Sequence, residues 1–230
     1  FACTELNYTW YQMPKAPAVE RMCAKVPDHF RFAAKLTRTM THEVKKNQWA
    51  KEVLHFRHGM EPLVKSGKLL CILVQLPPYF DRSVANRTYL AALLDELAGL
   101  PLAVEFRHNS WATEKVFSEL ARRSVALAAV DEPDLPGLFP RLDRVTSPEL
   151  FYVRFHGRNA RGWRSGNMQQ QFDYNYSGAE LQEWADIIRE RMMPQARAGA
   201  VFFNNHVRGQ APQNALALID LLLKETPDRR

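Results

Sequence analysis

The stretch Pro101 to Trp111, PLAVEFRHNSW, brings together the residue types best suited to chemistry. Leu102, Ala103, Val104 and Phe106 form a short apolar run, and Glu105, Arg107 and His108 stand at its C-terminal end, where a buried parallel strand gives way to a loop. α/β folds place their chemistry at such ends. Side chains two apart share one face of a strand, so Glu105 and Arg107 set a carboxylate beside a guanidinium. That pair suits a general base next to a group that holds negative charge. It equally suits a plain interior ion pair, which needs further hydrogen bonds to offset desolvation.

The same arrangement recurs along the chain. Glu5 and Asn7 share a face at the end of one apolar stretch, Lys35 and Gln75 close two others, and Asp131 follows a fourth. Arg154 and His156 share a face at the end of LFYVRFHG, and Asn204 and Asn205 end AGAVFFNN. In an enzyme, Glu105 or Asp131 would serve as general base and His156 as acid or electrophile. Arg107, Arg154 and Lys35 would hold charge, with Glu5, Asn7, Gln75 and His108 also facing the substrate.

A second clue is the loop after the Leu150–Gly157 strand, counted as the seventh strand of a complete barrel. Arg158, Arg161 and Arg164 alternate with Gly157, Gly162, Trp163 and Gly166. Arginine grips phosphate through two parallel hydrogen bonds, and Trp163 offers a face for a base or sugar. Barrels often bind phosphate with the loops after strands 7 and 8. Asn204, Asn205, His206, Arg208 and Gly209 supply the partner loop. The plain alternative is an ordinary solvated loop.

Other chemistries find less support. Glu5, Glu105, Asp131, His108 and His156 raise a divalent-metal reading, but they come from separate strands, and no H-x-H or H-E-x-x-H spacing occurs. The reading adopted is a site without metal or cofactor, with a divalent metal as the alternative. His29, His42, His55 and His58 read as surface or helix residues. A G-x-S-x-G elbow is absent, and Cys71 lies inside an apolar strand, which argues against covalent acyl chemistry.

These residues need elements to hold them. The patterning predicts strands at Ala2–Asn7, Arg31–Thr37, Leu69–Leu76, around Glu105, at Val125–Val130, Leu150–Gly157 and Ala198–Asn205. It predicts helices at Ala18–Val26, Thr41–Lys65, Asp81–Leu97, Thr113–Arg123, from Ser177 to about Arg191 and from Pro212 to about Lys224. Ser177 and Glu180 have capping-box spacing, and Ser66-Gly67 closes the second helix. Glu132–Glu149, with Pro133, Pro136, Gly137, Pro140 and Pro148, reads as a loop, and Thr226–Arg230 as a frayed polar tail. Strands alternating with helices imply a parallel sheet. A doubly wound sheet would carry a Gly-rich nucleotide turn, and neither G-x-G-x-x-G nor a P-loop occurs. The expectation is therefore one α/β domain over 1–230, a TIM-like (β/α) barrel whose first strand lies upstream of Phe1.

Seven motifs support this: TELNYTWYQMP, HFRFAAKLTRTMTH, ILVQLPPYF, AVEFRHNSW, YVRFHG, YNYS and VFFNNHVRGQAPQNA. In this order they resemble the YecE-like family, the domain of unknown function numbered seventy-two, over essentially the whole chain. The resemblance implies a TIM-like barrel and no established reaction. Members of that family usually begin with a strand bearing a Gly-Thr-Ser-Gly-Trp-like stretch, which is not present here. Met22 stands near where relatives tend to have Trp.

Composition bounds the rest. The 230 residues, 46% of them hydrophobic, suffice for one large core. Cys3, Cys23 and Cys71 are widely spaced in apolar or helical settings, which points to reduced thiols and a cytoplasmic protein. No apolar run is long enough for a membrane span. The net charge of +6 favours a phosphorylated small molecule or nucleic acid as partner and leaves the oligomeric state open. Two functions of different class fit: an enzyme doing acid–base chemistry on such a substrate, or a module that binds phosphate or nucleic acid without turnover.

Overall fold

The computed structural model describes residues 1–224, so the tail Thr226–Arg230 lies outside the described residues. The chain forms two compact units, Phe1–Thr113 and a second beginning at Glu114.

In the first unit, strands β1 (Cys3–Leu6), β2 (Arg31–Lys35), β3 (Leu69–Gln75) and β4 (Leu102–Glu105) form a parallel sheet in chain order. The centre of the sheet is dry, with Ala33, Ala34, Ile72, Leu73, Ala103 and Val104 inaccessible to water. Both faces are therefore covered, which is why these strands read as continuous apolar runs. The connecting helices are α1 (Tyr8–Tyr11), α2 (Ala16–Cys23), α3 (Trp49–Lys65) and α4 (Val84–Glu96). Val53, Phe56, Met60 and Leu63 make the buried stripe of α3 at helical spacing. Gly59 lies beside that stripe because a Cβ there would run into the carbonyl of Pro14.

Two expectations fail locally. The helix expected from Thr41 begins at Trp49, and a 3-10 turn, Arg38–Met40, precedes it. The intervening chain is irregular: Thr41, His42 and Glu43 all donate a backbone N–H to the Arg38 carbonyl. The one-turn helix α1 was also not anticipated. It is tied to β2 through buried Thr9, whose Oγ1 lies 2.7 Å from the Leu6 carbonyl and 2.6 Å from that of Lys35.

In the second unit, β5 (Ala126–Asp131), β6 (Leu150–Phe155) and β7 (Ala198–Phe203) are parallel. Around them lie α5 (Glu114–Arg122), α6 (Met168–Gln171), α7 (Gly178–Ile187) and α8 (Gln210–Leu223). Residues 132–149 contain no helix or strand, as expected. The capping box forms, with Ser177 Oγ accepting from Glu180 N and the Glu180 carboxylate accepting from Ser177 N. A π-helical turn, Ile188–Met192, extends α7. Ala129, Phe151, Val153 and Phe155 pack with Leu181, Trp184, Ala185, Ile188 and Leu218 of α7, its extension and α8. Because side chains alternate, Arg154 and His156 lie on the opposite face of β6 from Phe151, Val153 and Phe155.

Candidate functional site

In the first unit some of the polar residues at the strand ends have neighbours among one another or in the segments that follow. Glu105 is wholly buried and accepts a hydrogen bond from Nε of Arg107, itself 6% exposed, so the two share a face as their spacing requires. Gln75 stands opposite Glu105 in the β3–β4 register. Lys35 ends β2, and its Nζ lies 5.7 Å from the centre of the Trp10 ring, which α1 carries. Trp10 Nε1 donates to Nδ1 of His42 at 3.3 Å, with the two rings edge to face at 5.0 Å. Burial first, then the charges of Lys35 and Arg107, lower the His42 pKa to about 4, against a smaller upward pull from Glu105. The field at the imidazole is therefore net positive, and the ring is neutral at pH 7.

His42 and Trp10 were not among the residues singled out from sequence. From sequence His42 reads as a surface or helix residue in the stretch expected to be helical from Thr41, and the signal that pointed to it was its place in the motif that ends in TMTH. Of the other expected residues, Glu5 and Gln75 are half-buried, and Asn7 is exposed. His108 acts locally, accepting at Nδ1 from Ser110 N at 3.2 Å.

The second unit departs more from expectation. Asp131 is fully buried and its oxygens are surrounded by donors: Arg158 Nε (2.9 Å) and Nη2 (2.7 Å), Tyr176 OH (2.8 Å) and Trp184 Nε1 (2.6 Å). Asp131 has the parity of Ala129, which packs against α7, so its carboxylate turns toward Trp184 and away from the face that carries Arg154 and His156. Asp131, expected as a general base, has its lone pairs occupied by these four donor atoms. Burial, then Asp131 itself, raises the Tyr176 pKa far above the ordinary phenol value.

Arg158, expected to grip phosphate, is paired with Asp131 and with Glu180 Oε1 at 3.1 Å. Hydrogen bonds from Tyr174 and Ser177, together with the Arg158 charge, hold Glu180 low, although burial alone would raise it. Trp163 is only 8% exposed and meets Phe172 edge to face, so it is a packing residue and not an open stacking face. Arg161 and Arg164 are exposed, and Arg164 Nη2 donates to the Pro136 carbonyl at 2.8 Å. Arg154 and His156 are buried as a pair around Asn204: Arg154 Nη2 donates to Asn204 Oδ1 at 3.3 Å, and Asn204 Nδ2 lies 3.4 Å from His156 Nδ1. Asn205 is buried and joins Asn214 and the Tyr174 carbonyl, which makes it part of the packing under the loop. Among the described residues no three His, Cys, Asp or Glu side chains are grouped to hold a metal ion. No described helix is long and apolar enough to cross a membrane.

Parallel strands in chain order, helices between them and polar side chains at the strand ends define the class: an α/β protein of the TIM-like (β/α) barrel fold. Within that class, the chain belongs to the family described as Protein of unknown function DUF72, whose model matches residues 1–229. It is 30% identical to the UPF0759 protein YunF of Bacillus subtilis (strain 168), over 96% of this chain and 83% of that one. A DUF72 family protein of Enterococcus faecalis V583 superposes with a TM-score of 0.91 at 28% identity, over 98% of this chain and 86% of that one. A DUF72 family protein of Thermotoga maritima MSB8 gives a TM-score of 0.87 at 35% identity, over 97% and 85%.

Proposed function

We propose that this protein acts on a phosphorylated or nucleic-acid substrate by acid–base chemistry, at the strand ends of its first unit. Glu105 is the base and Lys35 and Arg107 hold the substrate's negative charge. One observation carries this reading: Lys35, Arg107 and Glu105, from the ends of two strands, act together on His42, and Trp10 links Lys35 to that ring. Charged side chains from two strand ends thus act together on one ring, at the place where barrel folds put their chemistry. The +6 net charge of the chain works in the same direction.

A second reading is favoured by the pairing of Glu105 with Arg107 and by the saturated Asp131: a module that binds phosphate or nucleic acid without turnover. Incubating the wild-type protein with phosphodiesters, abasic DNA and sugar phosphates, with and without divalent metal, separates the two. Turnover that Glu105→Gln abolishes while binding persists supports the enzyme. Binding without turnover across the whole set supports the module, and a steep salt slope would mark the nucleic acid as its ligand. Neither binding nor turnover would overturn both.

A further inference from the structure

We propose that His42 completes an oxyanion-binding site with Lys35 and Arg107, donating from Nε2–H to a phosphate-type oxygen of the ligand. This rests on the first-unit site being the ligand site, as argued above, and adds to it the group that meets the oxyanion. The tautomer follows from the partners. An indole N–H can only donate, so Nδ1 of His42, 3.3 Å from Trp10 Nε1, must accept, and the single proton of the neutral ring sits on Nε2. The Thr41 hydroxyl has one proton and lies 2.9 Å from the same nitrogen and 3.4 Å from the Thr37 carbonyl; turned to the nearer acceptor, it agrees with that assignment.

The ring is held as well as oriented. Trp10 meets it edge to face, and the Tyr79 hydroxyl donates to the His42 carbonyl at 2.9 Å, fixing the irregular segment that bears it. Among the described residues Nε2 has no hydrogen-bond partner, while Nδ1 has two neighbours. A neutral imidazole is a useful donor for an oxyanion, because it polarises the oxygen without giving up its proton. The groups acting on it are Lys35 from β2 and Arg107 and Glu105 from β4 and the residues after it. Arg158 and Trp163, expected to do this work, are occupied by Asp131 and by packing. The proposed anion site is therefore placed in the first unit, and Arg161 of the arginine-rich loop serves as the comparison.

Inorganic phosphate is the probe. The full chain, labelled with 15N, is titrated with phosphate at pH 7.5 while the His42 ring nitrogens are followed by NMR. The same titration is run on His42→Phe, His42→Gln, Lys35→Met and Arg161→Gln. The expected result is an Nε2–H tautomer whose Nε2 signal moves on binding. Affinity should fall about tenfold or more in His42→Phe, as for loss of a hydrogen bond to a charged group, and stay near wild type in His42→Gln, whose amide can still donate. It should fall in Lys35→Met and hold in Arg161→Gln. If His42→Phe does not fold, the tautomer and the Gln variant still decide. An Nδ1–H tautomer, or a His42→Phe protein that binds as wild type while Lys35→Met does not, overturns the role of His42 alone. A wild-type protein that binds no phosphate overturns the first-unit reading and this role with it.

Discussion

Arg158 clasps Asp131 along both edges of the carboxylate, with Nη2 2.7 Å from Oδ2 and Nε 2.9 Å from Oδ1, although the two are 27 residues apart. Tyr176 and Trp184 add their donors, so the carboxylate organises the upper part of the second unit. Asp131→Asn keeps the volume but removes the charge and turns an N–H2 toward groups that donate. Unfolding free energy should fall by about 3–5 kcal/mol, measured by urea denaturation, as for a buried ion pair deprived of one partner. Tyr176→Phe, which deletes one neutral donor, should cost about 1–2 kcal/mol.

Glu105 and Arg107 make the corresponding test in the first unit. Glu105→Gln keeps the shape and hydrogen-bonding reach of the side chain and should keep the fold if Glu105 acts as the base; if its carboxylate instead serves to balance Arg107, stability should drop by about 3 kcal/mol. Glu105→Asp, which keeps the charge, should retain more of it. Chemical denaturation of the two variants side by side checks this, and a Gln variant as stable as wild type would show that the pair does not hold the fold.

His42 imposes a pH dependence with a definite sign. Its pKa is about 4 in the folded protein, below the ordinary histidine value of 6.5, so the unfolded chain binds the proton more readily. The contribution of this group is whole above about pH 6.5, declines as pH falls toward 4, and has gone below that. Its size is on the order of 2 kcal/mol, after allowance for a ring that is only partly buried. Melting temperatures of wild type and His42→Gln between pH 4 and 7 should converge at the acid end and separate at the neutral end.

Gly59→Ala tests the close approach of α3 to the chain before α2. In an exposed helix interior alanine would stabilise, yet here the methyl group meets the Pro14 backbone. The variant should lose about 1–3 kcal/mol in denaturant titrations, as overpacking does.

Much of the strand framework was legible because doubly buried parallel strands are short apolar runs, and their polar successors mark the ends. The same double burial concealed which way β5 faces. Every residue of Ala126–Asp131 is buried, so no alternation shows whether Asp131 turns toward the helices or away from them. Trp163 misled for a related reason: glycines and arginines on either side read as an open loop, and only the packing with Phe172 reveals it as buried. The Asp131–Arg158 pairing and the Trp10–His42 contact join residues far apart in sequence, where local spacing carries no information. The start of α3 was not legible because 41–48 is mostly polar chain in which Thr41, His42 and Glu43 bond back to Arg38 instead of propagating a helix.

The partners of Asp131 also set an order of events during synthesis. Arg158, Tyr176 and Trp184 follow it by 27, 45 and 53 residues. At roughly 5–20 residues per second, the ribosome takes about 3–10 s to make the last of them. Until Trp184 is made, one of those donors is missing and β5 cannot seal its helix-facing side. A pause or truncation between Asp131 and Trp184 would leave a nascent chain with an apolar strand exposed, the species that a chaperone would have to hold.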